Sequence, residues 1–178
     1  MKAIDTIYNG YKFRSRLEAR WAVFFDEAGI TWEYEKEGYD LGDGVYYLPD
    51  FWLPQLDMFA EIKGTIPNKK EMEKAGVLSE QSRKIVGVLG NIPTANSMFE
   101  NWEEKYFGYA FLKNKDWVDM PYYFSKCIRC GMYGFHFEGK VRQCNCFEND
   151  ADGHDDYAIQ FAYTKARQAR FEHGECGK

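Results

Sequence analysis

The chain has 178 residues, the size of a single domain or of a domain with a small addition. Its aromatic share of 18% allows a substantial core, and its net charge of −5 argues against a protein that holds nucleic acid through overall positive charge. No apolar run could span a bilayer, and residues 1–13 lack the apolar segment of a signal peptide. We therefore expect a cytoplasmic protein with no membrane partner.

The first predicted element is a helix over residues 15–28. Apolar side chains recur there at helical spacing, and Gly29 is a natural stop. Glu18 lies on or beside the apolar stripe of this helix, where a carboxylate needs a partner. That partner could be a metal site at a sheet edge, or Ser15 could bond Glu18 in a capping box, and the pattern alone favours neither.

Strands and a second helix follow. Strand character is predicted over residues 31–36, 45–48 and 56–63, which are rich in aromatic and alternating apolar side chains. Residues 69–82 have the composition of a polar helix, and residues 84–89 form a short β-branched run that is typical of a buried strand. The order helix, three strands, helix, strand predicts an α/β (α+β) fold.

Two carboxylates and a lysine carry the strongest chemical signal. Asp50 follows a proline, and ten residues separate it from Glu61. Glu61 and Lys63 are two positions apart on a predicted strand, so their side chains leave the same face. Two acids can hold a divalent cation that activates a water, and a lysine can offset charge that builds on a phosphate, which suits phosphodiester hydrolysis. The alternative is a solvated strand face with an ion pair.

The segment from about residue 8 to residue 89 resembles the PD-(D/E)XK nuclease superfamily, and in particular its small phage-type members. The resemblance is carried by an ordered set of motifs, since the short motif alone is degenerate. The motifs are Phe13-Arg14-Ser15-Arg16-Leu17-Glu18-Ala19-Arg20-Trp21, Tyr47-Leu48-Pro49-Asp50-Phe51 and Glu61-Ile62-Lys63-Gly64. The resemblance implies a restriction-endonuclease-like core, in which helices flank a central mixed β-sheet.

The resemblance also implies the composition of a metal site. Asp50 and Glu61 would bind Mg²⁺ or Mn²⁺, and the carbonyl oxygen of Ile62 would be a further ligand. Lys63 would position or activate the attacking water.

Two further residues are assigned by the same resemblance. Glu18 would complete the site, which favours the metal site over the capping box for this residue. Gln81 is the candidate for the additional polar residue that the family often carries on its following helix. The implied protein is a metal-dependent endodeoxyribonuclease of a bacterial or phage-infected cell. Its partner would be DNA, and a double-strand break would require a homodimer or two visits by a monomer.

A cysteine-bearing module is predicted over residues 124–147. Its thiols form two pairs: Cys127, Cys130, Cys144 and Cys146. The spacing resembles a zinc ribbon with one structural Zn²⁺, although the second pair is C-x-C rather than C-x-x-C. His136 or His154 could replace one ligand, and disulfides or buried thiols are the alternatives. The fifth cysteine, Cys176, is interpreted as incidental.

Basic residues of the module and of the chain after it are candidates for DNA contact. They are Arg129, Lys140, Arg142, Arg167 and Arg170, the last two on a helix predicted over residues 155–172. A charged, solvated face is the alternative. The predicted organisation is a nuclease core over residues 1–123, a zinc ribbon over 124–147, and an acidic linker with a helix over 148–178.

Three functions thus compete. The first is a metal-dependent nuclease with a zinc ribbon that aids DNA binding. The second is a protein of the same fold that binds nucleic acid without cutting it, which the intact acid, acid and lysine set disfavours. The third is a module whose zinc ribbon binds a protein partner.

Overall fold

The computed structural model describes residues 4–94, 108–118, 123–137, 140–141, 144, 146, 154–155 and 157–171. No helix in these ranges has the length and apolar character needed to cross a membrane. Arg142 and most of the predicted acidic linker lie outside the described residues.

The helices are α1 (Arg16–Ala28), α2 (Lys69–Ser82) and α3 (Tyr157–Gln168), and a 3-10 turn covers Pro54–Leu56. The strands are β1 (Thr6–Tyr8), β2 (Tyr11–Phe13), β3 (Glu33–Tyr34), β4 (Tyr39–Asp40), β5 (Tyr46–Tyr47), β6 (Phe51–Leu53), β7 (Met58–Ile62), β8 (Ile85–Leu89), β9 (Gly108–Leu112), β10 (Trp117–Val118), β11 (Tyr123–Cys127), β12 (Tyr133–Phe137), β13 (Lys140–Val141) and β14 (His154–Asp155). The first two predicted helices are confirmed to within one residue, and α3 is shorter than predicted.

Local signals account for the bounds of the first two helices. The Ser15 hydroxyl accepts a hydrogen bond from the Glu18 amide at 3.2 Å, and Gly29 ends α1 in the left-handed conformation at φ 68°. Asn68 and Glu71 form a reciprocal capping box at the start of α2. Both helices therefore begin at a cap whose third helical position is a glutamate.

A mixed six-stranded sheet forms the centre of the molecule, in the order β10-β9-β8-β7-β6-β3. β7 and β8 are parallel and are joined through α2, while the other neighbours are antiparallel. A second sheet, in the order β13-β12-β11-β14, carries the cysteine module, and β1-β2 and β4-β5 form separate hairpins. The fold is thus mixed α+β, with a mixed sheet and helices, as predicted.

Strand β7 shows how the central sheet has two buried faces. Met58, Ala60 and Ile62 pack in the larger core cluster, which includes α1 and α3. Phe59 packs in the other cluster, under α2. Glu61 shares the Phe59 face because side chains alternate along a strand. The predicted alternation is therefore confirmed, and it brings Glu61 to the α2 side of the sheet.

The cysteine-bearing sheet shares the larger core cluster. Phe124 on β11 contacts Trp21, Phe24 and Phe25 of α1, with ring centroids 5.3–6.2 Å apart. Phe135 on β12 packs directly on the central sheet, where a Cβ at Gly87 would lie only 2.8 Å from its ring. The predicted boundary between residues 123 and 124 therefore does not separate two cores.

Helix α3 covers α1. The ring of Tyr163 stacks on Phe24 with centroids 4.4 Å apart and an interplanar angle of 20°. Its hydroxyl accepts a hydrogen bond from the Phe124 amide at 2.9 Å. Burial of one large apolar side chain stabilises the folded state by roughly 1.5–3 kcal/mol. The buried rings of Phe124, Phe135 and Tyr163 therefore add to the stability of the core.

Candidate functional site

Asp50 and Glu61 face each other across two paired strands. Asp50 directly precedes β6, and the antiparallel register pairs Phe51 with Ala60, so the next pair outward is Asp50 with Glu61. The Ile62 amide donates to Asp50 Oδ2 at 2.7 Å, which fixes the Asp50 side chain against β7. Both carboxyl groups are buried, with 8% and 7% of their residue surface exposed. The two acids predicted to form a site are thus adjacent.

The pKa of Asp50 is raised well above its ordinary value. Burial is the largest cause, followed by the negative charges of Glu61 and Glu18. The Ile62 amide and the Lys63 ammonium oppose the shift and do not outweigh it. The carboxyl groups of Asp50, Glu61 and Glu18 are therefore close together in a buried place, and the charge of Lys63 does not offset their repulsion at Asp50.

The two carboxylate oxygens of Glu61 have different surroundings. Its Oε1 lies 2.8 Å from Lys63 Nζ, while Oε2 is buried and has no hydrogen-bond partner of good geometry in the described part of the chain. Burial, the charge of Glu61 and a side-chain hydrogen bond with Glu61 raise the pKa of Tyr47, so the Tyr47 hydroxyl lies against the Glu61 carboxylate. A set of carboxylate oxygens is the kind of ligand set that hard divalent cations prefer. The oxygens of Asp50 and Glu61 thus have the donor chemistry that Mg²⁺ and Mn²⁺ prefer, and an ion at this place stays a prediction.

Lys63 is held between two acids. Its Nζ lies 2.8 Å from Glu61 Oε1 and 3.2 Å from Glu71 Oε1. Burial by itself lowers the pKa of Lys63, but Glu61 and Glu71 outweigh it and raise the pKa. The ammonium group is therefore charged and fixed at the edge of the site.

Glu71 is a member of this site that the sequence analysis missed. Its Oε2 accepts from the Asn68 amide at 2.8 Å, so the residue caps α2 with one oxygen and contacts Lys63 with the other. Burial alone would raise the pKa of Glu71, but the Asn68 amide, Lys63 and Lys74 lower it. The Asn-x-x-Glu capping signature at the start of the predicted helix was the signal that could have located Glu71.

Glu18 contacts the cap of α1, and its charge also acts on Asp50. Ser15 Oγ donates to its Oε1 at 2.7 Å, and the Tyr34 hydroxyl and Arg14 amide donate to its Oε2 at 2.6 and 3.1 Å. These contacts belong to a helix cap. Its charge also reaches Asp50, where it contributes to the raised pKa. Glu18 is thus buried beside the two acids, with both oxygens already hydrogen-bonded.

Gln81 is not brought to the carboxylates. Its side-chain amide donates to the Leu41 carbonyl at 3.3 Å, and its side chain is exposed. It lies ten positions beyond Glu71 on α2, about 15 Å along the helix axis. Ile62, between Glu61 and Lys63, donates its amide to Asp50, and the ligand role of its carbonyl stays a prediction.

The four cysteines of the second sheet form one cluster. The sulfur atoms of Cys127, Cys130, Cys144 and Cys146 all lie within 4.8 Å of one another. At the first pair, the Gly131 amide donates to the Cys127 carbonyl at 2.9 Å, and Gly131 has φ 72°, a conformation that favours glycine. Four thiols this close can hold a metal ion such as zinc without a histidine ligand.

The thiols of the cluster differ in their ionisation. Burial by itself raises the pKa of Cys127, but the backbone amides of Cys130 and Arg129 outweigh it and lower the pKa to about 7. Burial is the largest cause that raises the pKa of Cys144 to about 12. One thiolate is thus prepared for a metal, while a second thiol would lose its proton only to a cation.

The cationic residues proposed to contact DNA have mixed positions. Arg129 donates to the Cys146 carbonyl at 2.9 Å and so ties the two cysteine loops together. Arg167 donates to the Pro93 carbonyl and to Thr164 Oγ1, while Arg170 is exposed. Lys140 is in β13, and Arg142 lies outside the described residues. Arg129 and Arg167 therefore have structural contacts, and a DNA contact of any of the five stays a prediction.

The described residues thus contain a buried carboxylate group with a fixed lysine, and a compact set of thiols that could hold a metal ion. Compared with known proteins, the chain matches no family model, no curated protein and no solved structure.

Proposed function

We propose that this protein is a divalent-metal-dependent endodeoxyribonuclease that hydrolyses phosphodiester bonds in DNA. The observation that carries the proposal is the pair of buried carboxyl groups of Asp50 and Glu61, which are adjacent across two paired strands, with Lys63 Nζ 2.8 Å from Glu61 Oε1. Two buried acids beside a fixed lysine supply the donor oxygens for a divalent cation and a positive charge for a phosphate. The resemblance to PD-(D/E)XK nucleases supports the same activity.

Each residue would have a distinct task. Asp50 and Glu61 would hold Mg²⁺ or Mn²⁺, with Glu18 supporting the charge balance from the cap of α1. The ion, when bound, would activate a water and stabilise negative charge on the phosphate. Lys63, fixed by Glu61 and Glu71, would offset the charge that develops on the same phosphate.

A structural Zn²⁺ at the four cysteines would complete the protein. It would hold the loops that carry Cys130 and Cys146, which are otherwise linked by the bond from Arg129 to the Cys146 carbonyl. The zinc ribbon could then aid DNA binding, as its basic residues predict.

Cleavage of supercoiled plasmid in Mg²⁺ or Mn²⁺ tests the proposal. Glu61→Gln keeps the size of the side chain and removes its charge, so we expect the nicking rate to fall by about a thousandfold or more. Glu73→Gln is the matched control, because it makes the same change on the exposed side of α2. Wild-type rates in Glu61→Gln, or a wild-type protein that cuts neither duplex nor single-stranded DNA, would refute the assignment.

A further inference from the structure

The lysines on α2 and in the loop beside it fall into two groups with different surroundings. Lys69 lies 3.7 Å from Glu73, and Lys115 of the neighbouring loop lies 2.9 Å from Glu80. Lys70 and Lys74 are exposed, and neither has an ion-pair partner among the residues that the structure describes. Two cations of the helix are thus available to an external anion.

Helix geometry places these two lysines beside the candidate active site. With roughly 100° per residue, Lys74 lies about 60° and Lys70 about 100° around the helix from Glu71, whereas Lys69 lies about 160° away. Glu71 is the residue of α2 that contacts Lys63. Lys70 and Lys74 therefore occupy the flank of α2 next to the carboxylates, and Lys69 occupies the opposite flank.

The general geometry of helices also favours a lean of these two side chains towards that site. Long side chains on a helix point back towards its N-terminus, and the N-terminal end of α2 is the end that meets Lys63. At the other end of the same flank, Gln81 bonds the carbonyl of Leu41 and so keeps the acidic β4-β5 hairpin near the helix. On this flank of α2, the positive side chains therefore lie in the first two turns of the helix.

We propose that Lys70 and Lys74 contact backbone phosphates of the DNA strand that enters the carboxylate site. The inference rests on the proposed nuclease function and names the surface that guides its substrate. A chain with net charge −5 repels DNA overall, so two exposed lysines next to the buried acids supply the local positive charge that such a strand requires, although Lys74 also acts on Glu71. Of the basic residues predicted on the cysteine module and the C-terminal helix, Arg129 and Arg167 bond backbone carbonyls.

The test is the salt dependence of binding to a fluorescein-labelled DNA duplex in Mg²⁺-free buffer, followed by fluorescence anisotropy. Lys70→Ala with Lys74→Ala should weaken binding at least about tenfold at low salt. The double variant should reduce the slope of log affinity against log salt by about 1.8, since each lost phosphate contact removes about 0.9. Lys69→Ala with Lys115→Ala is the matched control, because it removes the same charge from lysines that are already ion-paired.

The outcomes separate this surface from the nuclease activity. A reduced slope in the Lys70→Ala, Lys74→Ala variant alone supports the proposed DNA contact. That support would remain even if the wild-type protein binds DNA and never cuts it, a result that would end the nuclease proposal. Three results would contradict the proposed DNA contact: an equal loss of slope in both double variants, no loss of slope in the Lys70→Ala, Lys74→Ala variant, or a wild-type protein that binds no DNA. If the wild-type protein cuts plasmid and the Lys70→Ala, Lys74→Ala variant binds DNA normally, the nuclease proposal stands and the proposed contact of these lysines is wrong.

Discussion

The carboxylate site and the cysteine cluster both gather metal-binding groups, but they are supported in different ways. The carboxylates are joined to the frame of the fold through the Ile62 amide, Lys63 and the cap of α1. Among the described residues, Cys127 ends β11, while Cys130, Cys144 and Cys146 lie in turns and loops, and Arg129 donates to the Cys146 carbonyl. We therefore expect the carboxylate site to form without an ion, and the cysteine cluster to depend on a metal to hold its parts together.

Protonation explains the rest of the difference. Asp50 can relieve charge repulsion by keeping a proton, because its pKa is raised. In the cysteine cluster, hydrogen bonds from Cys144 and Cys130 help to lower the pKa of Cys127, and a metal would replace these contacts with bonds to the thiolates. We therefore expect loss of the first ion to abolish chemistry and loss of the second to damage the fold.

The largest expected effect follows from removing Lys63. Lys63→Met keeps the length of the side chain and removes the charge that offsets Glu61, so cleavage should fall by about a thousandfold or more. The fold should persist, because the site is built on β7 and its neighbours. Plasmid nicking and circular dichroism measure the two effects, and Lys69→Met is the control. A Lys63→Met protein that cuts at the wild-type rate would remove this lysine from the mechanism.

The next effect concerns the cysteine cluster. Cys144→Ser should lower zinc content and cost on the order of 3 kcal/mol or more of unfolding free energy. Because Phe124 and Phe135 lie in the main core, we expect one cooperative transition to shift rather than a separate module to be lost. Elemental analysis and urea unfolding measure this, with Cys176→Ser as the control.

Two separate unfolding transitions in Cys144→Ser would instead restore the independent module that the sequence predicted. An absence of zinc in wild-type protein never exposed to chelator would contradict the metal assignment itself.

Asp50 should make stability depend on pH. Its folded pKa is raised above the ordinary 3.8, so between that value and the raised one the folded state keeps a proton that the unfolded state releases. Stability therefore falls as pH rises through this window, and Asp50→Asn removes the loss.

In Mg²⁺-free buffer without chelator, Asp50→Asn should become increasingly more stable than wild type as pH rises from about 5 to 8. Urea unfolding across this range measures the difference, and Asp43→Asn on an exposed turn is the control. A stability difference that does not change with pH would mean that Asp50 is ionised throughout.

The smallest expected effect separates the two roles of Glu18. Glu18→Gln replaces one accepting oxygen by a donor, so it should cost about 1–2 kcal/mol of stability through the cap contacts. Tyr34→Phe also removes a cap contact but keeps the charge. If Glu18 serves the metal site, cleavage should fall much further in Glu18→Gln than in Tyr34→Phe. Equal cleavage rates in the two variants would restrict Glu18 to the cap.

The sequence predicted the elements whose signals are local. Helix α1 has a serine cap, an apolar stripe and a terminal glycine, and the alternation in β7 assigned Glu61 to its face. The spacing of the cysteines likewise predicted a cluster. Each of these features depends on residues that are close in the chain.

Features that depend on distant partners were not predicted. Tyr34 reaches Glu18, and Tyr47 lies beside Glu61, only because the strands pair as they do. Phe124 and Phe135 could equally have formed a small core of their own, since composition does not say which surface an aromatic ring will cover. The position of Gln81 was assigned by resemblance, and the length of α2 carries that residue away from the acids.

The stacking of Tyr163 on Phe24 has a consequence for the order of synthesis. The cap that carries Glu18 leaves the ribosome early, but the ring that covers α1 is translated about 140 residues later. Until then one apolar side of α1 is uncovered, although Phe25 can already contact Phe51 of β6 and the Trp21 indole can donate to the Gly90 carbonyl. A chain truncated before α3 would therefore contain every residue of the carboxylate site and an exposed apolar surface on α1, which favours aggregation of unfinished chains.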